Sequence, residues 1–124
     1  IKKNKEKFKL DNIEVIEAEA PEGLDELPKP THVFIGGSGG NLNEILNTLY
    51  SMNDSMRIVI TAVSLETIVQ IKDILSAYPI ANEDIVELQV NRSKAIGKYH
   101  MMQAENPVWI CSFDFREGAA DEAQ

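Results

Sequence analysis

Residues 31–41, THVFIGGSGGN, contain four glycines and one serine directly after a short apolar run. The apolar residues between Pro30 and Gly36 predict a buried parallel strand. The residues that follow Gly40 have the apolar spacing of a helix. The local architecture is therefore a strand, a glycine loop and a helix. Because ligands of open α/β sheets bind beyond the carboxyl ends of the strands, we expect the ligand site at residues 36–40.

Two interpretations of the glycine loop stay open. Glycines permit positive φ and close backbone approach, and Ser38 offers a hydroxyl, so a ligand could contact the loop. Asn41 can cap the following helix, with Glu44 as the second member of a capping-box variant, and a helix start favours anionic ligand groups. The dinucleotide fingerprint does not fit because Leu42 replaces its last glycine, and the phosphate loop lacks its lysine. The alternative is a tight turn without a ligand.

The composition is that of one ordinary globular domain, with 124 residues, 44% apolar and 26% charged. No apolar run approaches the ~20 residues of a membrane span, and no signal peptide is recognisable. We therefore expect a cytoplasmic protein that binds no membrane. Cys111 lies in an apolar segment and is expected to be an inert core thiol. His32 and His100 lack ligand spacing, so no metal site is expected.

Charge is distributed unevenly along the chain. A formal net charge of −8 argues against nucleic-acid binding, which needs a basic surface. Arg92, Lys94 and Lys98 nevertheless fall within seven residues, close to Tyr99 and His100. This cluster could attract a small polyanion such as a polycarboxylate. Its alternative is the solvated face of a strand and loop.

The first half of the chain is predicted to alternate between helix and strand. A helix end is expected within residues 1–10, a short strand at 12–18 and a proline-rich loop at 23–30. The strand at 32–35 and a helix at 42–52 follow, the latter with one apolar stripe.

Residues 57–63, RIVITAV, predict a central parallel strand that is covered on both faces. Ser64 is a plausible cap for the next helix, which Pro79 ends. Glu66 falls in the first turn of this helix, at the same level as the glycine loop. There its carboxylate could interact favourably with the positive end of the helix dipole, or it could contact a ligand.

The C-terminal part predicts strands rather than helices. Residues 86–90 alternate between apolar and polar, and 108–115 form a second apolar run. The two are expected to pair antiparallel across a long connection, 91–106, in which the methionines pack. Residues 116–124 are small and polar and are predicted to be disordered.

Several strings resemble one enzyme family. They are Asn12-Ile13, Ala20-Pro21-Glu22, HVFIGGSGGNL at 32–42, IVITAVSLE at 58–66, VNRS at 90–93 and NPV at 106–108. The order of elements is that of class I S-adenosylmethionine-dependent methyltransferases, and the strings resemble the methyltransferase/decarboxylase of cobalamin biosynthesis, the C-terminal half of precorrin-6Y methyltransferase. The resemblance implies a partial class I methyltransferase fold (α/β, Rossmann-like, a three-layer sandwich) over residues 1–115.

By this resemblance the cofactor is S-adenosylmethionine. Gly36, Gly37 and Ser38 would line its crevice, and Glu19 and Ala20 would lie near its adenine end. Methyl transfer from a sulfonium mainly needs orientation and exclusion of water, so no catalytic residue and no metal are assigned.

The implied substrate is a corrin precursor, which is methylated at a meso carbon and loses carbon dioxide from an acetate side chain. Glu66, Asn91, Arg92 and Ser93 would face it. Corrin precursors carry many carboxylates, and Arg92 can pair with one of them bidentately.

The resemblance also predicts an incomplete enzyme. The family begins with a strand, a first glycine loop and a second strand ending in an acid, none of which is recognisable here. We therefore expect a fragment or truncated product that binds S-adenosylmethionine weakly or not at all. The strand at 12–18 would move beside that at 32–35, or another copy would fill the gap in a homo-oligomer. The alternatives are a non-catalytic assembly or binding module and a class I methyltransferase for another polycarboxylate.

Overall fold

A computed structural model describes residues 1–37 and 40–116. Its elements are α1 (Lys2–Lys7), a 3-10 helix (Leu24–Glu26), β1 (His32–Gly36), α2 (Leu42–Met52), β2 (Met56–Ala62), α3 (Leu65–Ala77), β3 (Ile80–Leu88), β4 (Asn91–Ile96), β5 (Tyr99–Ala104) and β6 (Val108–Phe115). No helix among these residues is long and apolar enough to cross a membrane. The predicted disordered tail, apart from Arg116, lies outside the described residues.

Four strands form one mixed sheet in the order β1-β2-β6-β3. β1 and β2 are parallel, and β6 runs antiparallel to both β2 and β3, which confirms the predicted α/β class and the antiparallel final pair. Ala62 pairs with Trp109 and Leu88 pairs with Val108, so β2 and β3 end at the edge where β6 begins. β1 ends there too, at Gly36. We call this edge the carboxyl rim.

The core lies on one face of the sheet, beneath α2 and α3. Every second residue of β2 is buried there, from Met56 to Ala62. The apolar stripe predicted for α2 is confirmed by the burial of Leu42, Ile45, Leu46 and Leu49. Phe113 and Phe115 of β6 fill the space between the strands and the helices, and both are almost fully buried.

The opposite face of the sheet is more open than predicted. Arg57, Val59 and Thr61 point away from the helices and are only half-buried. Phe34 on the same face is 69% exposed, and Leu88 is 50% exposed. The prediction that β2 is covered on both faces is therefore wrong for the described residues, in which the sheet and one helical layer make two layers.

The strand predicted at 12–18 is wrong. The segment has no ladder partner, and Ile13 and Ile16 are 37% and 46% exposed. β1 is an edge strand of the sheet, so the segment has not moved beside it either. An isolated apolar run forms a strand only where a neighbouring strand offers hydrogen bonds, and propensity does not supply that neighbour. The helix predicted near the N-terminus is confirmed as α1.

Residues 91–106 connect β3 to β6 as predicted, but β4 and β5 form an antiparallel hairpin within this connection, which was not predicted. Gly97 has φ +59° and, with Lys98, makes the two-residue turn that hairpins favour. Met101 and Met102 are 53% and 69% exposed, so they do not pack as expected. The Gly97-Lys98 pair between two short runs was the signal that could have revealed the hairpin.

Candidate functional site

Two cavities at the carboxyl rim share Gly37. The outer cavity, about 360 Å³, lies between β1 and residues 19–24 and is lined by Glu19, Ala20, Gly36 and Gly37 with several apolar side chains. The inner cavity, about 400 Å³, lies over the end of β2 and the first turn of α3 and includes Glu66. Both volumes fall within the range of small-molecule sites, roughly 300–1,000 Å³. Gly37 therefore borders two adjoining spaces.

Open space faces the described part of the glycine loop. Gly37 and Gly40 have φ of +66° and +95°, values that favour glycine. A Cβ at either position would have no heavy atom within 4 Å. Gly36 is tighter, because a Cβ there would lie 3.1 Å from the Phe34 ring. This geometry favours the ligand-facing interpretation of the loop, although Ser38 lies outside the described residues and its contact stays a prediction.

Asn41 connects the loop to the wall of the outer cavity. It occupies the N-cap position of α2, but its side chain makes no capping hydrogen bond, which corrects the predicted capping box. Its Nδ2 instead donates to the Ala20 carbonyl at 3.2 Å and to Glu19 Oε1 at 3.3 Å. Glu19 and Ala20 are thus held beside the glycines. Sequence reasoning missed this role because local patterns carry no signal for partners so far along the chain.

Ser64 fixes the start of α3 at the inner cavity, as predicted. Its Oγ accepts a hydrogen bond from the Thr67 amide at 3.2 Å and donates to Thr67 Oγ1 at 2.9 Å. Glu66 lies in this capped first turn, and Gln70 lines the same cavity one turn later. Sequence reasoning missed Gln70, although its i+4 spacing from Glu66 places both on one helix face. The inner cavity therefore offers hydroxyl, amide and carboxylate groups.

A family model described as precorrin methyltransferase domain matches residues 1–114. The chain belongs to this family. Among solved structures, precorrin-6y C5,15-methyltransferase from Geobacter metallireducens is 36% identical with a TM-score of 0.80, covering 92% of this chain and 60% of that one. The precorrin 8w decarboxylase of Methanobacterium thermoautotrophicum is 32% identical with a TM-score of 0.75, covering 90% and 60%. These neighbours confirm the predicted methyltransferase fold.

The named relatives of this precorrin methyltransferase domain are also precorrin methyltransferases. Probable cobalt-precorrin-6B C(15)-methyltransferases (decarboxylating) are 34% identical over 110 residues in Sulfurisphaera tokodaii and 35% over 99 residues in Methanothermobacter thermautotrophicus. The matches cover 88% and 79% of this chain. They cover 57% and 51% of the relatives, so the chain spans about half the length of the curated relatives it matches.

The site residues that the resemblance implied fall in three places on this precorrin methyltransferase domain. Four of them, Glu19, Ala20, Gly36 and Gly37, line the outer cavity, while Glu66 lines the inner one. Asn91, Arg92 and Ser93 are exposed on β4 and line neither cavity. Strand alternation also puts Arg92 on the opposite face of the hairpin from Asn91 and Ser93. These three residues therefore do not form one binding surface.

A third cavity, about 430 Å³, lies between α3 and the strands β3 and β6, away from the glycine loop. Its walls are mainly apolar and include Trp109 and Cys111. Burial, followed by the charges of Glu83 and Asp84, raises the pKa of the Cys111 thiol to about 11. The thiol is therefore protonated at neutral pH, and its burial agrees with the predicted core role.

Proposed function

We propose that this chain forms the part of a precorrin C-methyltransferase that carries the second glycine loop of an S-adenosylmethionine site. The reaction is methylation of a corrin precursor with loss of carbon dioxide, in cobalamin biosynthesis. The observation that carries the proposal is that Gly37, in the glycine loop, lines two adjoining cavities at the carboxyl rim, in a chain of this family. Open α/β sheets bind their ligands at this rim.

The outer cavity fits the adenosine part of S-adenosylmethionine. Its apolar walls include Val33, Ile45 and Leu49, which suit a flat ring, and Glu19 supplies one carboxylate that can accept hydrogen bonds from an amino or hydroxyl group. The backbone of Gly36 and Gly37 can approach the ligand closely because neither carries a side chain. The cofactor supplies a methyl group on a sulfonium. The chain orients it and excludes water around it.

We assign the substrate to the inner cavity and the neighbouring hairpin. Glu66 lies at the inner cavity, and Arg92 on β4 supplies a guanidinium that can bind a substrate carboxylate. Asn91 and Ser93, on the other face of β4, remain proposed substrate contacts. The electron pair left when carbon dioxide departs is taken up by the conjugated macrocycle, so this step needs no metal from the chain.

A titration by NMR tests the cofactor assignment. S-adenosylhomocysteine added to the ¹⁵N-labelled chain, up to millimolar concentrations, should shift the amides of Ala20, Gly36 and Gly37. Asn41→Ala should reduce these shifts because it releases Ala20 from the loop, whereas Asn43→Ala, at an exposed position of the same helix, should not. Shifts confined to other regions, or no shift at all, would contradict the proposal.

We expect this binding to be weak. The described residues offer the ligand a few backbone groups and Glu19, and each hydrogen bond adds only ~1 kcal/mol in water. Isothermal titration calorimetry of the chain with S-adenosylmethionine should therefore give a dissociation constant well above the micromolar range. A micromolar constant would show that the described contacts suffice for binding.

A non-catalytic assembly module is the second candidate, and the open sheet face favours it. Phe34, Val86 and Leu88 lie on this face and are between 41% and 69% exposed. Exposed apolar faces and free strand edges recruit partners, and a second copy of the chain would cover both. Light scattering at micromolar concentration should then give the mass of a homo-oligomer. A monomeric mass would remove this support.

A further inference from the structure

The third cavity lies on the covered face of the sheet, beside the edge strand β3. Ile85 of β3 pairs with Cys111 of β6, so both side chains point to the covered face. Cys111 is 1% exposed, whereas Ile85 is 42% exposed. Because β3 is the outermost strand next to β6, the helical layer covers β6 but leaves the face of β3 open. The cavity is the space between α3 and this open part of β3.

The walls of the third cavity are suited to an apolar ligand body. Ile68, Ile71 and Leu75 follow one another at helical spacing on one flank of α3. Trp109 and Ile85 line the cavity from the sheet. Its volume of about 430 Å³ falls within the range of small-molecule sites, roughly 300–1,000 Å³, and such sites combine apolar walls with a few polar groups.

Two opposite charges at the third cavity restrict what it can hold. Lys72 comes from α3 and Glu83 from β3, so the two charges belong to different walls. Neither side chain forms an ion pair with another residue in the part of the chain that the structure describes. A ligand with a single charge would pair with one of them and be repelled by the other. A ligand with one ammonium and one carboxylate satisfies both.

We infer that the third cavity binds a free α-amino acid with a large apolar side chain, its carboxylate on Lys72, its ammonium on Glu83 and its side chain against Trp109. An aromatic amino acid fits best, because its ring can stack on the indole in an offset or edge-to-face arrangement. The inner cavity and the third cavity both use α3 but share no lining residue. The inference is therefore independent of the proposed function.

Fluorescence of Trp109 tests the inference on the unmodified chain. Trp109 is the only tryptophan of the sequence and lines the cavity, so its emission reports occupation. L-phenylalanine, added up to millimolar concentrations, should change this emission in a saturable way. Phenylpropanoate lacks the ammonium and phenethylamine lacks the carboxylate, so each should bind about tenfold more weakly. No response to phenylalanine, or equal affinity for either analogue, would overturn the inference.

The two charges have matched control variants. Lys72→Gln and Glu83→Gln should each weaken phenylalanine binding by about tenfold, since each removes a charge-assisted contact. Asp84→Asn removes the same charge as Glu83→Gln from the next residue, which lies outside the cavity wall. Lys29→Gln removes a cation from an exposed position before β1. Both controls should change the affinity by less than about threefold. Equal losses in the four variants would reduce the effect to general charge attraction and overturn the inference.

The apolar wall has a matched pair on neighbouring positions of β3. Ile85 and Val86 are 42% and 41% exposed, but Val86 pairs with Ile110 on the open face of the sheet. Ile85→Ala should weaken phenylalanine binding by roughly fivefold, whereas Val86→Ala should leave it unchanged. Equal effects would contradict the assignment.

A second copy of the chain is the other occupant of the third cavity to test. Light scattering on Ile85→Ala and Val86→Ala measures whether either substitution changes the mass. An unchanged mass in Ile85→Ala, together with its weaker phenylalanine binding, supports the amino-acid site. If Ile85→Ala alone converts an oligomer into a monomer, the cavity is an interface between copies and the inference is wrong.

Discussion

The two faces of the four-stranded sheet use the same strands but meet different surroundings. On the helix-covered face, Ile58 and Ile60 of β2 are almost fully buried. On the open face, their neighbours Val59 and Thr61 are only half-buried, although both are β-branched like the isoleucines. Val59 is apolar enough for burial, but Arg57 on the same side of β2 carries a charge. The comparison shows that the layer packed against a strand and the residues on each of its sides together decide which side becomes core.

The two faces should also contribute differently to stability. Full burial of a large apolar side chain stabilises the folded state by about 1.5–3 kcal/mol. Most positions on the covered face contribute in this way. On the open face, polar contacts across β2, β6 and β3 connect the strands instead. Arg57 donates to Asp114 at 3.2 Å and to Ser112 at 3.0 Å, and Asn82 donates to Asp114 at 2.7 Å. Substitutions on each face test this contrast.

The largest effect is expected from Phe113→Ala on the covered face. Phe113 is 0% exposed, so truncation leaves a cavity and should lower the free energy of unfolding by about 3–5 kcal/mol. Urea denaturation followed by circular dichroism measures this loss. Phe8→Ala is the control, because Phe8 is 63% exposed and its truncation should cost less than ~0.5 kcal/mol. A cost below ~1.5 kcal/mol for Phe113→Ala would mean that the covered face is loosely packed.

The second effect concerns Asp114 and depends on pH. Partial burial alone would raise its pKa, but hydrogen bonds from Asn82 and Arg57, and the charge of Arg57, outweigh burial and hold the pKa below its ordinary value of 3.8. A lowered pKa in the folded state stabilises the protein above the unfolded pKa, and this stability is lost as the pH falls through the folded value. Asp114→Asn should therefore lower the free energy of unfolding at pH 7 by about 1.5 kcal/mol.

Urea denaturation of wild type and Asp114→Asn at pH 7 and at pH 3 checks this prediction. The difference between the two proteins should shrink at the lower pH, which lies below the ordinary pKa of 3.8, because the stability that a lowered folded-state pKa provides is lost as the pH falls below the unfolded pKa. Asp73→Asn, at an exposed position on α3, is the control and should have no effect at either pH. A difference that stays constant with pH would show that the carboxylate charge is not what connects the strands of the open face.

Sequence could predict the covered face because its signals are local. Apolar spacing in α2, the β-branched apolar run of β2 and the Ser64 cap each lie within one element, and the helix, the strand and the cap that they predict are confirmed. Signals for the open face and for the edge of the sheet are not local. Ile13 and Ile16 are β-branched and favour strands, but a strand forms only where a neighbouring strand can pair with it. Propensity carries no information about that neighbouring strand.

The candidate site was likewise predictable only where its signals are local. The glycine loop and Glu66 could be placed at the rim because each follows a recognisable strand. The bond between Asn41 and Ala20 joins residues 21 apart in sequence, and the hairpin had only the Gly97-Lys98 turn as its signal. Residues 91–106 mix charged, small and apolar side chains, so periodicity could not separate a hairpin from a loop.

A smaller effect is expected from the cap of α3, one of the two helices that make the covered face. Ser64→Ala removes the hydrogen bond to the Thr67 amide and should cost about 1 kcal/mol. Ser76→Ala is the control in the last turn of the same helix, where the hydroxyl makes only a long exposed contact of 3.5 Å. Urea midpoints of both variants measure the difference. Equal midpoints would mean that packing on the sheet, and not the cap, fixes the start of α3.

The smallest effect, and the most informative about the open face, is expected from Phe34→Ser. Phe34 is 69% exposed, so its replacement removes little buried apolar area and should change the free energy of unfolding by less than ~0.5 kcal/mol. Leu65→Ser, at a 75% exposed position on α3, is the control away from this face. If a second copy covers the face, Phe34→Ser should instead lower the mass found by light scattering and cost more than ~1.5 kcal/mol, while Leu65→Ser does neither. That result would make the open face an interface, and burial on both sides of β2 would then depend on association.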